Sequence, residues 1–207
     1  MKNLNFENKL YVITESAISS KSNEEVVREA IKGGAEIIQL REKQWDKEKV
    51  KEEAITLLKI CRENDVIFIV NDYADIALEI GADGVHLGQA DMPISEARRI
   101  CGDKLAIGLS THSLEQAMNA DKEDIDYLTI GPIFKTRAKD YTVGTEIIKE
   151  ILSKINKPLI AIGGIKERNI NEVLEQGVKN IAVINEVVSA DNIEKAASKL
   201  VKKIKEN

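Results

Sequence analysis

Ile67-Phe-Ile-Val-Asn-Asp-Tyr-Ala-Asp-Ile-Ala-Leu-Glu-Ile-Gly-Ala-Asp-Gly-Val-His-Leu-Gly-Gln-Ala-Asp91 is the stretch on which the rest of the chain is organised. Two short apolar runs, Ile67–Val70 and Val85–Leu87, flank a helical pattern over Asp75–Ile80. Each run is too short to span a membrane and β-branched enough for a strand buried on both faces. The first stops at Asn71-Asp72, the second at Gly88-Gln89-Ala90-Asp91. Two parallel strands joined by that helix bring Asp72 and Asp91 out side by side at one carboxyl edge. A hard cation such as Mg²⁺ takes one or two carboxylates and leaves its other positions to water and substrate phosphate. Taken singly, Asp72 also reads as a helix cap and Asp91 as a turn residue. Together, beside the amide donors Asn71 and Gln89, they point to a metal–phosphate site.

Outward from that unit the same alternation repeats. Upstream lie a strand at Leu10–Thr14, then a helix opened by the capping-box pair Ser22 and Glu25 and closed at Gly33-Gly34. A strand at Ile37–Leu40 runs into Arg41-Glu42-Lys43, and an amphipathic helix follows from Asp46 to Arg62. Downstream come the helix Ile94–Ile100, the strand Leu105–Leu109 ending in Ser110-Thr111-His112, and a helix that Ser113 and Gln116 would box. Next are the strand Tyr127–Ile130, a long loop over Ile133–Gly144, and the helix Glu146–Ile155. The strand Pro158–Ile162 meets Gly163-Gly164, the helix Ile170–Glu175 follows, and the strand Ile181–Ile184 ends at Asn185. The helix Asn192–Lys205 closes the chain. Eight such units without a Pro/Ser-rich linker predict α/β architecture: a single (β/α)8 TIM barrel spanning residues 1–207. An open doubly wound sheet is the alternative, and no Gly-rich dinucleotide fingerprint supports it.

Composition narrows the function. The 207 residues are 43% hydrophobic with a formal net charge of −5, enough for a sizeable core and poorly suited to a nucleic-acid surface. Lys and Arg cluster only along Lys195–Lys205, interleaved with apolar positions as on a solvated helix face. No apolar run reaches membrane length, and Met1–Leu10 is polar, unlike a signal segment. Cys61 and Cys101 stand apart with no metal-ligand spacing, which predicts structural thiols in a reducing cytoplasm. The apolar outer positions do not separate barrel helices from a subunit contact, so a homo-oligomer stays open.

Sites in such barrels lie at the carboxyl ends of the strands. There the sequence collects Gln39, Arg41, Lys43, Asn71, Asp72, Gln89, Asp91, Ser110, His112, Thr136, Lys139, Gly163, Gly164 and Asn185. Arginine offers a planar fork to phosphate oxygens and lysine a compact charge. Carboxylates among those cations are best explained by a metal bridging a polyphosphate. Gly163-Gly164 and Ile184-Asn185, after strands seven and eight, suggest a second anion site built on backbone N–H groups. His86 reads as a satisfied residue of the core or pocket wall.

Gln39-Leu-Arg-Glu-Lys43, Asn71-Asp72, Gly84-Val-His-Leu-Gly-Gln-Ala-Asp91, Ser110-Thr-His112, Gly131-Pro-Ile-Phe-x-Thr136 and Ile162-Gly-Gly-Ile165 resemble, in order and over nearly the whole chain, the signature of the thiamine phosphate synthases. That family of transferases joins a pyrimidine methyl diphosphate to a thiazole phosphate and releases pyrophosphate. The resemblance implies that Gln39, Leu40, Arg41, Glu42, Lys43, Asn71, Ser110 and Lys139 hold the pyrimidine diphosphate, with Asp72 and Asp91 on Mg²⁺. Arg41, Lys43, Ser110 and Lys139 would be the catalytic groups. Thr136, Arg137, Ala138, Gly164, Ile184 and Asn185 would hold the thiazole phosphate. The family usually has Thr-x-Thr-Lys where this chain reads Thr136-Arg-Ala-Lys139, and Ser in place of Asn185. Two other functions compete: a thiazole tautomerase of the same superfamily, with His112 as acid–base group, and a non-catalytic phosphate-binding regulatory barrel.

Overall fold

The computed structural model describes Leu4 and residues 6–207; Met1–Asn3 and Asn5 of the polar start lie outside that set. Eight parallel strands close a barrel in sequence order: β1 (Leu10–Ile13), β2 (Ile37–Leu40), β3 (Ile67–Asn71), β4 (Gly84–Leu87), β5 (Ala106–Thr111), β6 (Tyr127–Ile130), β7 (Leu159–Ile162) and β8 (Asn180–Val183). The closing seam pairs Leu10 with Ile181 and Val12 with Val183. Around it lie α1 (Asn23–Lys32), α2 (Lys47–Glu63), α3 (Ala74–Ile80), α4 (Ile94–Cys101), α5 (Leu114–Ala120), α6 (Glu146–Leu152), α7 (Ile170–Leu174), α8 (Asn185–Val188) and α9 (Ile193–Glu206). The (β/α)8 barrel is therefore the fold.

Successive side chains of a strand face opposite sides, and this alternation sorts the core into two layers. Tyr11, Ile13, Ile37, Ile69, Tyr127, Ile160 and Ala182 pack inside the barrel. Leu10, Val12, Ile38, Leu40, Val70, Val85 and Leu128 pack outward under the helices. Phe6 stacks on Tyr127 at 4.6 Å between ring centroids and joins the inner layer. Nothing in the periodicity of that polar start marks it for burial.

Helix starts follow local chemistry. Ser22 makes the full capping box with Glu25, and Asp46 and Asn192 accept from the backbone N–H groups of Lys49 and Lys195. Ser113 caps Gln116 N, but the Gln116 side chain accepts from His112 N, one residue before its expected partner. Only half of the predicted box forms there. The end of β8 differs from the expectation. Strand β8 stops at Val183, so Asn185 opens the short helix α8 instead of ending the strand. Cys61 and Cys101 are free and buried, and burial pushes the Cys61 thiol up to about 12. Among the described residues, no helix is long and apolar enough to cross a membrane.

Candidate active site

Strand register places the groups of the rim. Asn71 of β3 lies level with His86 of β4, and the backbone then turns sharply. Asp72 adopts φ +64°, a left-handed conformation that Asp tolerates better than most side chains, and its N–H donates to the His86 carbonyl at 2.9 Å. That turn sets the Asp72 carboxyl against Asp91. The Asp91 side chain is anchored in turn by Gly88 N–H at 2.7 Å. Burial, followed by the hydrogen bond and charge of Asp91, raises Asp72 to about 6, while the charges of Lys43 and Arg41 pull the other way. The pair expected from sequence thus forms, with both cations close enough to act on it.

Arg41 follows β2. Its N–H donates to Thr14 Oγ1 at 3.1 Å, and its guanidinium rests 3.5 Å from the Glu15 carboxylate. Sequence reasoning passed over Glu15, since a lone carboxylate after a strand carries no signal. Lys43 is exposed at the same rim. Between them two side chains turn away from the rim. Leu40 is 1% exposed and belongs to the outer layer, because the two-residue alternation of β2 turns it away from the axis. Glu42 is 9% exposed and accepts from Ser16 N, Ser16 Oγ and Asn23 Nδ2 at 2.9, 2.7 and 2.9 Å. Its carboxylate fastens the start of α1 to the segment that bears Arg41 and Lys43, so it braces that segment.

Gln39 and Ser110 face inward on β2 and β5, joined by buried polar side chains. Gln39 Nε2 donates to Tyr11 Oη at 2.6 Å, and Tyr11 Oη lies 3.2 Å from Tyr127 Oη. Tyr127 Oη is 3.1 Å from His86 Nδ1, and His86 Nε2 is 2.9 Å from Ser110 Oγ. Burial lowers His86 to about 4, so the ring is neutral at ordinary pH. The satisfied wall residue expected at His86 is what the structure shows. Gln89 Nε2 donates to the Ser110 carbonyl at 2.7 Å and ties β4 to β5 at the rim. The two tyrosines escaped sequence reasoning, although the inward register of β1 and β6 would have exposed them.

The remaining candidates sit on the loop between β6 and α6 and opposite it. Lys139 N–H donates to Thr136 Oγ1 at 3.1 Å, and the ammonium stands 5.8 Å from the Tyr141 ring centroid. Tyr141 also meets His112 edge-on at 6.2 Å, and His112 Nδ1 contacts the Gly131 carbonyl at 2.6 Å. Arg137 and Ala138 are exposed on this loop. Ile133 N and Phe134 N donate to the carbonyls of Ile162 and Gly163, each at 2.9 Å. Gly163 and Gly164 take φ +100° and +67°, and a Cβ on them would lie 2.5 Å from Pro132 and 2.8 Å from the Lys135 carbonyl. Only glycine suits a turn so close to the loop. Ile184 packs against the inner layer. Asn185, exposed at the head of α8, lines an open cavity of about 470 Å³ with Glu167, Glu186, Lys195 and Lys199, on the α9 side.

Comparison with known proteins agrees with this architecture. Residues 10–187 match the family described as thiamine monophosphate synthase. The thiamine-phosphate synthase of Halalkalibacterium halodurans is 43% identical over 189 residues, covering 89% of this chain and 90% of the relative. That of Pelotomaculum thermopropionicum is 46% identical over 188 residues, covering 89% and 86%. Among solved structures, thiamine phosphate pyrophosphorylase from Pyrococcus furiosus superposes with a TM-score of 0.91 at 43% identity over 97% of both chains. The chain belongs to the thiamine monophosphate synthase family.

Proposed function

We propose that this protein is a thiamine-phosphate synthase, a transferase that acts on 4-amino-2-methyl-5-pyrimidinylmethyl diphosphate and a thiazole phosphate. Family membership over residues 10–187 carries the reading. The C–O bond to the diphosphate breaks with its electron pair leaving on pyrophosphate, and the thiazole nitrogen supplies the pair for the new bond to the methylene carbon. The aminopyrimidine spreads the positive charge of that carbon, so no protein nucleophile is needed. What the protein must do is neutralise the departing diphosphate and hold two substrates in line.

Arg41 and Lys43 lie where their charges act on Asp72, which supports a diphosphate seat on that side. Lys139 adds a third cation from the loop after β6. Ser110 and Asn71 offer short polar contacts at the rim, and Gln39 supplies an amide beneath them. Thr136, Gly164 and the Ile184–Asn185 segment are the proposed thiazole-phosphate side, with Arg137 as an additional charge where Ala138 lacks a hydroxyl.

Asp72 and Asp91 fit Mg²⁺ as the metal. Among the described residues no third acidic, His or Cys group joins them, and Mg²⁺ is satisfied by two carboxylates with water and phosphate completing the shell. Their mutual repulsion is also what a cation relieves. When bound, Mg²⁺ supplies positive charge to the diphosphate oxygens.

The tautomerase alternative would ask His112 to move a proton, and it leaves the paired carboxylates and flanking cations without a task. Two buried, unpaired thiols support a reducing, cytoplasmic setting. The test is direct: incubate the purified protein with both substrates and Mg²⁺ and assay thiamine phosphate and pyrophosphate. Equal amounts of both are expected. Absence of both products, or isomerisation of the thiazole alone, overturns the synthase reading.

A further inference from the structure

The barrel interior holds a line of side chains that reaches from one proposed substrate contact to another. We propose that Tyr127 and His86 are positioning residues of a one-way hydrogen-bond chain from Gln39 through the barrel core to Ser110, which leaves the Ser110 hydroxyl as a donor pointed at the pyrimidine diphosphate. The proposal rests on the synthase reading for the ligand alone; the chain itself is a property of the free protein.

Each partner has a restricted inventory, so one end fixes the direction of all the rest. The Gln39 amide nitrogen can only donate, so Tyr11 Oη accepts at 2.6 Å. Tyr11 has one proton, and its remaining partner is Tyr127 Oη at 3.2 Å. Tyr127 then passes its own proton to His86 Nδ1 at 3.1 Å. A neutral imidazole that accepts at Nδ1 carries its hydrogen on Nε2, and that hydrogen goes to Ser110 Oγ at 2.9 Å. Ser110 accepts from within, so its own proton is available only outward.

Register and packing keep the line in place. His86, Gly108 and Tyr127 are consecutive partners across β4, β5 and β6. A Cβ at position 108 would lie 2.1 Å from Tyr127 Cζ, 2.4 Å from its hydroxyl and 2.5 Å from His86 Nδ1. Glycine at 108 therefore opens the space in which ring and hydroxyl meet. Tyr11 and Tyr127 are fully buried and His86 is 6% exposed, so water does not compete for these bonds. Reversing the amide of Gln39 would reverse every bond and leave Ser110 donating inward, with nothing to offer a phosphate or a ring nitrogen acceptor. The two directions make opposite predictions.

The tautomer of His86 reads the direction without any substrate. The chain has two histidines, so ¹⁵N-histidine NMR gives two rings, separated by His112→Gln. We expect His86 protonated on Nε2 and bare on Nδ1; the reverse tautomer overturns the proposal. Kinetics supply the second arm. Tyr127→Phe removes one hydroxyl with little change of shape and should raise KM for the pyrimidine diphosphate about tenfold, as for one lost hydrogen bond, with KM for thiazole phosphate unchanged. His86→Gln keeps an amide donor near Ser110 and should retain more activity than His86→Ala. Unaltered kinetics in a folded Tyr127→Phe, or equal losses in the two His86 variants, would overturn it as well. An inactive wild-type protein with the expected tautomer would refute the synthase reading and leave the direction of the chain established.

Discussion

Asp72 concentrates the electrostatic tension of the site, since its carboxyl is partly withdrawn from water and held against a second carboxyl. Its proton-binding strength is higher folded than unfolded, at about 6 against an ordinary 3.8. The folded state therefore binds more protons between those values, and stability contributed by this group falls as pH rises through that window. Above about pH 6 the penalty is complete. With a chelator present, Asp72→Asn, which also tolerates the left-handed backbone, should melt higher than wild type at pH 8, and the gap should close toward pH 4. The same variant should lose most turnover with Mg²⁺ present. A melting gap independent of pH, or full turnover, would contradict the assignment. The rim cations test differently. Arg41→Ala and Lys139→Ala should each raise KM for the pyrimidine diphosphate by about ten- to a hundredfold, the range of a charge-assisted bond, with melting temperatures little changed. Unchanged kinetics in both would make the rim mere surface charge.

At the scale of elements, the two-residue period of the strands did most of the work of prediction. Strands β2 and β6 have the bounds expected from the sequence, because a short, largely apolar run suits burial on both faces of a parallel sheet. The same period divides the block Gln39–Lys43. Alternate side chains there part company, sending Leu40 under the helices and Glu42 toward Ser16 and Asn23. Helix α8 was illegible because four residues hold barely one turn, too little for a 3.6-residue pattern to appear. The long-range partners of Tyr11, Tyr127 and His86 come from register across strands, which no local stretch encodes. Strand β5 offers the sharpest test of that register. Gly108→Ala forces a methyl into space held by Tyr127 and His86 and should cost about 1–3 kcal/mol or more, measured by urea unfolding. A silent substitution would show that β5 is free to shift.

For the whole molecule, closure between β1 and β8 removes the open edge from which a sheet could peel. The outer layer runs without a break from Leu10 to Ile204, so no part has a separate core. Urea unfolding should accordingly give one transition, with far-UV circular dichroism superposing on the fluorescence of Trp45, the chain's one tryptophan. Trp45 sits on the rim with the Lys49 ammonium 3.8 Å from its ring centroid, so it reports on the site side of the barrel. Two separated transitions would show that the rim loosens before the barrel.

The loop after β6 is stitched by Ile133 N and Phe134 N to the carbonyls of Ile162 and Gly163, and the same loop carries Thr136 and Lys139. On the proposed assignment of the site, the two substrate pockets share a wall. A thiazole phosphate that settled on the glycine turn would then also settle Lys139, and thermodynamic linkage would make the favour mutual: whatever factor the second substrate adds to the affinity of the first, the first adds to the second. Titrating an unreactive pyrimidine diphosphate analogue with and without thiazole phosphate, and then the reverse, should return one common factor greater than one. The enzyme would then commit to its reactants as a pair, holding a lone diphosphate loosely enough to let it go before water can take the place of the missing partner.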